Sequence, residues 1–372
     1  MPTLADIFHA YGGKYRERFG SHMSADQLRA MRDIEACHSA AAGEALWRCP
    51  GCGKRHFTFL GCGNRHCPSC GGSRAVQWQR KHEALLLPGV IYHLITFTVP
   101  EGLRRVVRSH PRELLEILME TSASTLLDVA ANKKWLGAIP GLTALLHTWT
   151  RQYEYHPHVH FIGTGGGIAP DGKWVEAHRK FFVSVDALSA VFRARFRDTL
   201  RERHPQIFAS VKPSVWKQHA WVVHSEPVGS GQTTLGYLAR YVNRVALSNK
   251  AILAASDTCI TLRYRQSGTN KPRTMRLPPM EFIRRFLQHV LPSGFRKVRY
   301  FGLHHSSKRP TLRLLQAAMA LQANRPMPEP PPESEPYRPA CPSCQAPMEF
   351  ERRVQGAKPS YGPGIRQERG PP

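Results

Sequence analysis

A chain of 372 residues with 41% hydrophobic content is long enough to bury a sizeable core, and its charge is the unusual quantity. Fifty-two Lys and Arg against 27 Asp and Glu give a net charge of +25, which draws polyanions such as nucleic acid. No apolar run approaches the ~20 residues of a spanning helix, and Asp6 and His9 sit where a signal peptide would be apolar, so a cytoplasmic nucleic-acid binder is expected and membrane attachment is not.

Residues 1 to about 45 read as helix, with Leu28, Met31 and Ile34 at helical spacing. Six of the nine cysteines follow between Cys37 and Cys70. Cys49-Pro50-Gly51-Cys52 and Cys67-Pro68-Ser69-Cys70 are two Cys-x2-Cys knuckles. Four thiolates in two tight turns suit tetrahedral Zn²⁺, so Cys49, Cys52, Cys67 and Cys70 are expected to hold a structural zinc. Cys37, His38, His56, Cys62 and His66 are extra candidates, leaving room for a second ion or another ligand choice. Such a site has no open coordination position. Its expected role is a DNA-facing module, with Arg65 among the basic residues around the metal.

From Val90 to Val99 the texture is strand-like, ending at Pro100. A helix is expected from about Pro111, where Leu114, Leu115, Leu118, Leu126 and Leu127 recur. An apolar strand from Leu142 to Trp149 precedes Tyr155-His156-Pro157-His158-Val159-His160-Phe161-Ile162, which ends in a Gly163–Gly167 glycine turn. Residues two apart on a strand share a face, so His158 and His160 can hold one divalent ion, Mg²⁺ or Mn²⁺, with positions left for a phosphate. Glu154 or His156 is nominated as third ligand.

A helix from Val185 to Arg203 and a strand from Ala220 to His224 lead to Tyr237-Leu238-Ala239-Arg240-Tyr241. Tyrosines four apart share one face of a helix, and Arg240 and Arg244 lie near it. A phenol is a poor nucleophile near neutral pH unless positive charge favours its anion, and two arginines supply that field while holding phosphate. Packing in a core is the alternative reading of Tyr237 and Tyr241. Strand-like Cys259–Arg265, a helix near Glu281–Val290 and a strand Phe295–Phe301 follow. Basic and aromatic residues interleave here: Trp216, Lys217, Trp221, Arg263, Tyr264, Arg265, Arg296, Lys297, Arg299 and Tyr300 suit stacked bases along a phosphate track. Lys297 and Arg299 are the DNA contacts nominated among them.

Beyond Arg325 the chain is proline-rich and reads as a mostly disordered tail holding one island, Cys341-Pro342-Ser343-Cys344. That half-site could be completed by a partner chain or bind nothing. No Walker motif is present, so strand separation would fall to host replication or helicase proteins. The expected organisation is an N-terminal helical and zinc-binding DNA-recognition domain (1–87), an α+β catalytic domain with an antiparallel sheet and helices on its faces (88–310), and the tail (311–372).

These motifs resemble, in the same order, those of the rolling-circle bacterial insertion-sequence transposases of the two-tyrosine HUH class, which carry an N-terminal transposase zinc-binding domain. The resemblance runs through Cys62-Gly63-Asn64-Arg65-His66-Cys67-Pro68-Ser69-Cys70, Ile95–Pro100, His156–His160, Tyr237–Asn249 and Arg285–Phe295. It implies that His158 and His160 hold the ion and that Tyr237 and Tyr241 are the nucleophiles. It also implies single-stranded DNA as substrate, nicked and rejoined at insertion-sequence ends on the bacterial nucleoid through 5′-phosphotyrosine links. The pattern departs at Gly63, where an arginine is expected, and at Thr150, where a glutamine is expected. Rival readings are a replication initiator or relaxase of the same chemistry, a non-catalytic zinc DNA-binding regulator, and an ion-dependent hydrolase that uses water.

Overall fold

The computed structural model describes residues 1–70, 78, 82–178, 182–217, 221–230, 247–266, 269, 271–324, 327–328 and 337–354. The expected N-terminal helix is two helices, α1 (Leu4–Phe19) and α2 (Ala25–Ala36). The division is encoded in two capping boxes. Thr3 caps the amide of Asp6, and Ser24 caps that of Gln27 while the Gln27 amide oxygen accepts from the Ser24 N–H.

The centre of the molecule is a six-stranded sheet in which every pairing is antiparallel. Its strands are β3 (Ile91–Thr98), β4 (Ile139–Trp149), β5 (Tyr155–Ile168), β6 (Trp174–Glu176), β7 (Val223–Ser230) and β11 (Val298–Gly302). The order is β11-β4-β5-β3-β7, with β6 on the far end of β5. Four helices flank it in sequence: α3 (Glu101–Ser109), α4 (Pro111–Ala131), α5 (Val185–Arg203) and the short α6 (Pro205–Ala209), followed by α7 (Pro213–Lys217). Alternation along the strands decides what faces what. Phe97, Leu146, Val159 and Phe161 enter the main core with Leu114, Leu118 and Leu126 of α4 and Phe192 and Phe196 of α5. The opposite face receives His147, His158, His160 and Thr96. The observed class is thus α+β, an antiparallel sheet with helices, as expected.

Two readings change. The run Gly163–Gly167 is no turn but the continuation of β5, and the turn comes after Ile168, at Gly172 with φ of 84°. These glycines answer close packing. A Cβ on Gly165 would lie 2.2 Å from the Ile91 carbonyl oxygen, and one on Gly166 would lie 2.3 Å from the Trp174 ring. Backbone cannot yield as a flexible side chain can, so Gly165→Ala is expected to destabilise the fold by ~2 kcal/mol or more, read as a lowered melting temperature. An unchanged melting temperature would refute the packing reading.

The tail reading also changes. Arg309–Gln322 form helix α9, and Glu349–Val354 form β12, which pairs with β1 (Glu44–Arg48). β1 also pairs with β2 (Arg55–Phe59), giving a three-stranded sheet that joins chain segments about three hundred residues apart. A third sheet holds β8 (Ile252–Ala255), β9 (Ile260–Arg265) and β10 (Pro272–Leu277), backed by α8 (Pro279–Leu287). One apolar cluster unites Leu4, Ile7, Phe8, Met31 and Ile34 of the N-terminal helices with Ile260, Leu262, Phe282 and Phe286. The N-terminal module is therefore built onto the 247–290 segment.

His289 and His304 are 4% and 2% exposed, and burial pushes each down to about 3. In the unfolded chain they titrate near 6.5. Their folded pKa values are depressed, so the stability they permit is complete above pH 6.5 and is lost as the pH falls toward 3. At pH 5 the two together are expected to cost on the order of 4 kcal/mol, at ~1.4 kcal/mol per unit. Urea midpoints at pH 7.5 and pH 5.0 check this; equal midpoints would contradict it.

Candidate metal centres

The histidine strand acquires its third partner from its neighbour in the sheet. His147 of β4 stands directly opposite His158 of β5, and His160 is two residues along the same face. One ring nitrogen from each of His147, His158 and His160 lies within 4.8 Å of the other two. Hydrogen bonds on the far side of two rings fix which nitrogen turns inward. His158 Nδ1–H donates to the His156 carbonyl at 2.7 Å, and His160 Nδ1 meets the Thr96 hydroxyl at 2.8 Å, leaving Nε2 of each for a ligand. Burial holds His160 down at about 4 and, with His160 and His156 nearby, pushes His158 well below the ordinary histidine range. Three imidazoles on one face fit a divalent ion, and three donors leave further coordination positions to be filled.

Neither residue nominated as third ligand joins this group. His156 is instead the carbonyl acceptor that orients His158, and its own half-buried ring has a buried Nδ1 with no hydrogen-bond partner among the described residues. His147 was hidden in sequence because its register opposite His158 belongs to strand pairing. Its one signal is a histidine interrupting the apolar run Leu142–Leu146. Arg104 of α3 was also missed. Its charge bears on both His156 and His158, so a guanidinium stands beside the cluster.

The cysteines divide differently from their spacing. The two knuckles that spacing joins go to separate clusters: Cys37, Cys62, Cys67 and Cys70 form one, and Cys49, Cys52, Cys341 and Cys344 the other. In the first, the sulfurs of Cys37 and Cys70 are 3.5 Å apart, those of Cys37 and Cys67 3.5 Å, and those of Cys62 and Cys70 3.7 Å. A tetrahedron of sulfurs at 2.3 Å from zinc has edges of ~3.8 Å, so this set matches a zinc cage. The hydrogen bond from the Cys62 thiol holds Cys67 down at about 5, while burial pushes Cys37 up to about 12. Four such groups ionise together only around a cation. A Cβ on Gly61 would press to 3.0 Å from the Cys70 sulfur, which explains the glycine before Cys62. His66 is excluded as a ligand there because its Nε2 accepts from the Leu291 N–H at 3.2 Å.

Comparison with known proteins gives two family models on the chain. Residues 7–99 match one described as "Transposase zinc-binding domain" and residues 141–311 one described as "Putative transposase". The "Putative transposase y4qJ" of Sinorhizobium fredii is 35% identical over 319 residues, covering 81% of this chain and 80% of that protein. The chain belongs to this transposase family. The "Transposase for insertion sequence element IS801" of Pseudomonas savastanoi pv. phaseolicola is 28% identical over 300 residues, 73% of this chain and 70% of that one. A solved structure of the conjugative relaxase TrwC with oriT DNA, metal-free, aligns with a TM-score of 0.23 and 12% identity over 63% of this chain and 72% of that chain.

In the transposase, the described basic residues nominated for DNA are engaged with protein. The Arg65 guanidinium donates to the carbonyls of Phe295 and Pro292, each at 2.6 Å, and of Leu291 at 3.3 Å, tying the zinc loop to that turn. Arg299 grips both carboxylate oxygens of Glu116 and lies over the Phe295 ring. The Lys297 ammonium sits 4.8 Å from the centre of the Trp149 ring, which stacks on His147, and burial with Arg65 nearby lowers it to about 7. Trp221 is a core residue between Phe192, Phe196 and Trp216. Exposed positive charge lies elsewhere: Arg263 and Arg265 of β9 and Arg276 of β10 share the solvent face of their sheet. Tyr237, Tyr241, Arg240 and Arg244 lie outside the described residues. Among the described residues no helix is long and apolar enough to cross a membrane.

Proposed function

We propose that this transposase nicks and rejoins single-stranded DNA at insertion-sequence ends through 5′-phosphotyrosine intermediates, in transposition of the rolling-circle type. The observation that carries the reading is the convergence of His147, His158 and His160 on one sheet face, three donors to a single point. His147, His158 and His160 would hold a divalent ion, Mg²⁺ or Mn²⁺, which would supply polarisation of a phosphoryl oxygen and stabilisation of the leaving 3′-oxygen.

The chain's own groups supply the rest. Burial keeps His160 and His158 neutral, and the Thr96 hydroxyl and the His156 carbonyl aim them. Arg104 is placed to hold a non-bridging phosphate oxygen beside the cluster, a role that suits a guanidinium's paired donors. Tyr237 and Tyr241 are proposed as the nucleophiles: one phenolate attacks phosphorus, the bond to the 3′-oxygen breaks, and a free 3′-hydroxyl leaves. The second tyrosine repeats the attack on another strand, so neither link is discharged by water. The exposed arginines of β9 and β10 are proposed to track the phosphates, and binding that rests on them falls steeply with salt.

The test is a denaturing-gel assay with 5′- and 3′-labelled single-stranded element ends and Mg²⁺ or Mn²⁺. A protein-linked product carrying the label 3′ of the nick, abolished by EDTA, is expected. Cleaved DNA with no protein attached would replace the reading with a water-using hydrolase. Salt-sensitive binding without cleavage would replace it with a DNA-binding regulator.

A further inference from the structure

The matched family models end at residues 99 and 311, and Cys341 and Cys344 lie beyond both. We propose that Cys49, Cys52, Cys341 and Cys344 hold a second structural zinc ion, which clasps the 337–354 segment onto the N-terminal module of the same chain. The sulfurs of Cys49 and Cys344 are 3.4 Å apart and those of Cys52 and Cys341 3.7 Å, close to the ~3.8 Å edge of a zinc–thiolate tetrahedron. They are far too distant for an S–S bond of ~2.05 Å.

The two half-sites are near copies. Cys49 N–H donates to the Lys54 carbonyl at 2.9 Å, and Cys341 N–H to the Ala346 carbonyl at 2.9 Å. Gly53 N–H returns to the Cys49 carbonyl at 2.9 Å, and Gln345 N–H to the Cys341 carbonyl at 2.8 Å. Gly53 and Gln345, each directly after the second cysteine, both adopt positive φ, 71° and 62°. For a glutamine that conformation is costly, and it persists where the surroundings fix it. The amides of Gly51 and Cys52 point at the Cys49 sulfur, and those of Ser343 and Cys344 at the Cys341 sulfur. Amides turned toward sulfur favour thiolate, as a metal ligand requires. His56 Nε2 lies 3.7 Å from the Cys341 sulfur, in position to donate a further hydrogen bond.

Pairing agrees with the metal geometry. β12 adds to β1 in antiparallel register, so strand pairing and ligation close the same loop of about three hundred residues. This small sheet buries little: its cluster is Ala45, Trp47, Cys49, Cys341 and Met348. A core of that size needs a metal to hold a segment otherwise reached through proline-rich sequence. Each cysteine thiol that ligates gives its proton to solvent, so loading releases protons.

The test is metal content of the purified full chain after dialysis. Two zinc ions per chain are expected in the wild type and one in Cys341→Ser/Cys344→Ser. The same variant should expose Arg352 and Arg353 to trypsin, at sites protected in the zinc-loaded wild type. Retention of two zinc ions by that variant overturns the proposal. Cobalt titration of the metal-stripped wild-type chain is independent of whether the variant folds. Saturation at two thiolate-bound equivalents supports the second site, and saturation at one overturns it. Either result is separable from the DNA chemistry, since neither experiment contains DNA.

Discussion

Tyr237→Phe/Tyr241→Phe is expected to abolish the covalent protein–DNA product while leaving single-stranded DNA binding within a factor of a few. The substitution removes only the two phenolic oxygens, and with them the attacking atom, so the loss should reach ~10³-fold or more, the size seen when a nucleophile is deleted from a site otherwise intact. Each single variant separates the roles. If the two tyrosines act in turn, one single variant stops the first adduct and the other allows the adduct but stops joining. Persistence of the adduct in the double variant would show that another residue attacks. A fall in DNA affinity that matches the loss of product would make the phenols binding groups.

The second large effect is expected at the histidines. His158→Ala and His160→Ala each remove one of three imidazole donors, and His147→Ala removes the one supplied by the neighbouring strand. All three should reduce cleavage by ~10²-fold or more and raise the Mn²⁺ concentration needed for half-maximal activity, because a two-donor site binds the ion weakly. His147→Ala is the discriminating variant. Glu154→Ala should leave the Mn²⁺ requirement unchanged, since Glu154 is absent from the ligand group. The reverse outcome, Glu154 essential and His147 dispensable, would place the ion beyond His158 toward the start of β5. Thr96→Val is expected to act more mildly, through loss of the bond that orients His160.

What the sequence discloses follows how local each determinant is. His158 and His160 are legible because a strand's period of two puts them on one face whatever lies beside it. His147 is not, since its partnership needs the register of β4 on β5, including an irregularity between His147 and Trp149. Cys-x2-Cys spacing reveals knuckles but cannot say which knuckles share an ion. Cys37 and Cys62 join Cys67 and Cys70, and Cys49 and Cys52 turn to residues almost three hundred positions away. Arg65 and Arg299 look like DNA ligands from charge alone. In the fold, backbone carbonyls at residues 291–295 and the carboxylate of Glu116 occupy them. Gly163–Gly167 resembles a turn by composition, while the Ile91 carbonyl and Trp174 ring that exclude side chains there come from other strands.

The most direct measurement is mass spectrometry of the protease-digested product formed with Mg²⁺ or Mn²⁺ on a single-stranded element end. The account predicts a peptide containing Tyr237 or Tyr241 joined through its phenolic oxygen to the 5′-phosphate of the nicked strand, with a free 3′-hydroxyl on the other fragment. A 5′-phosphate left free, with every tyrosine unmodified, would contradict it.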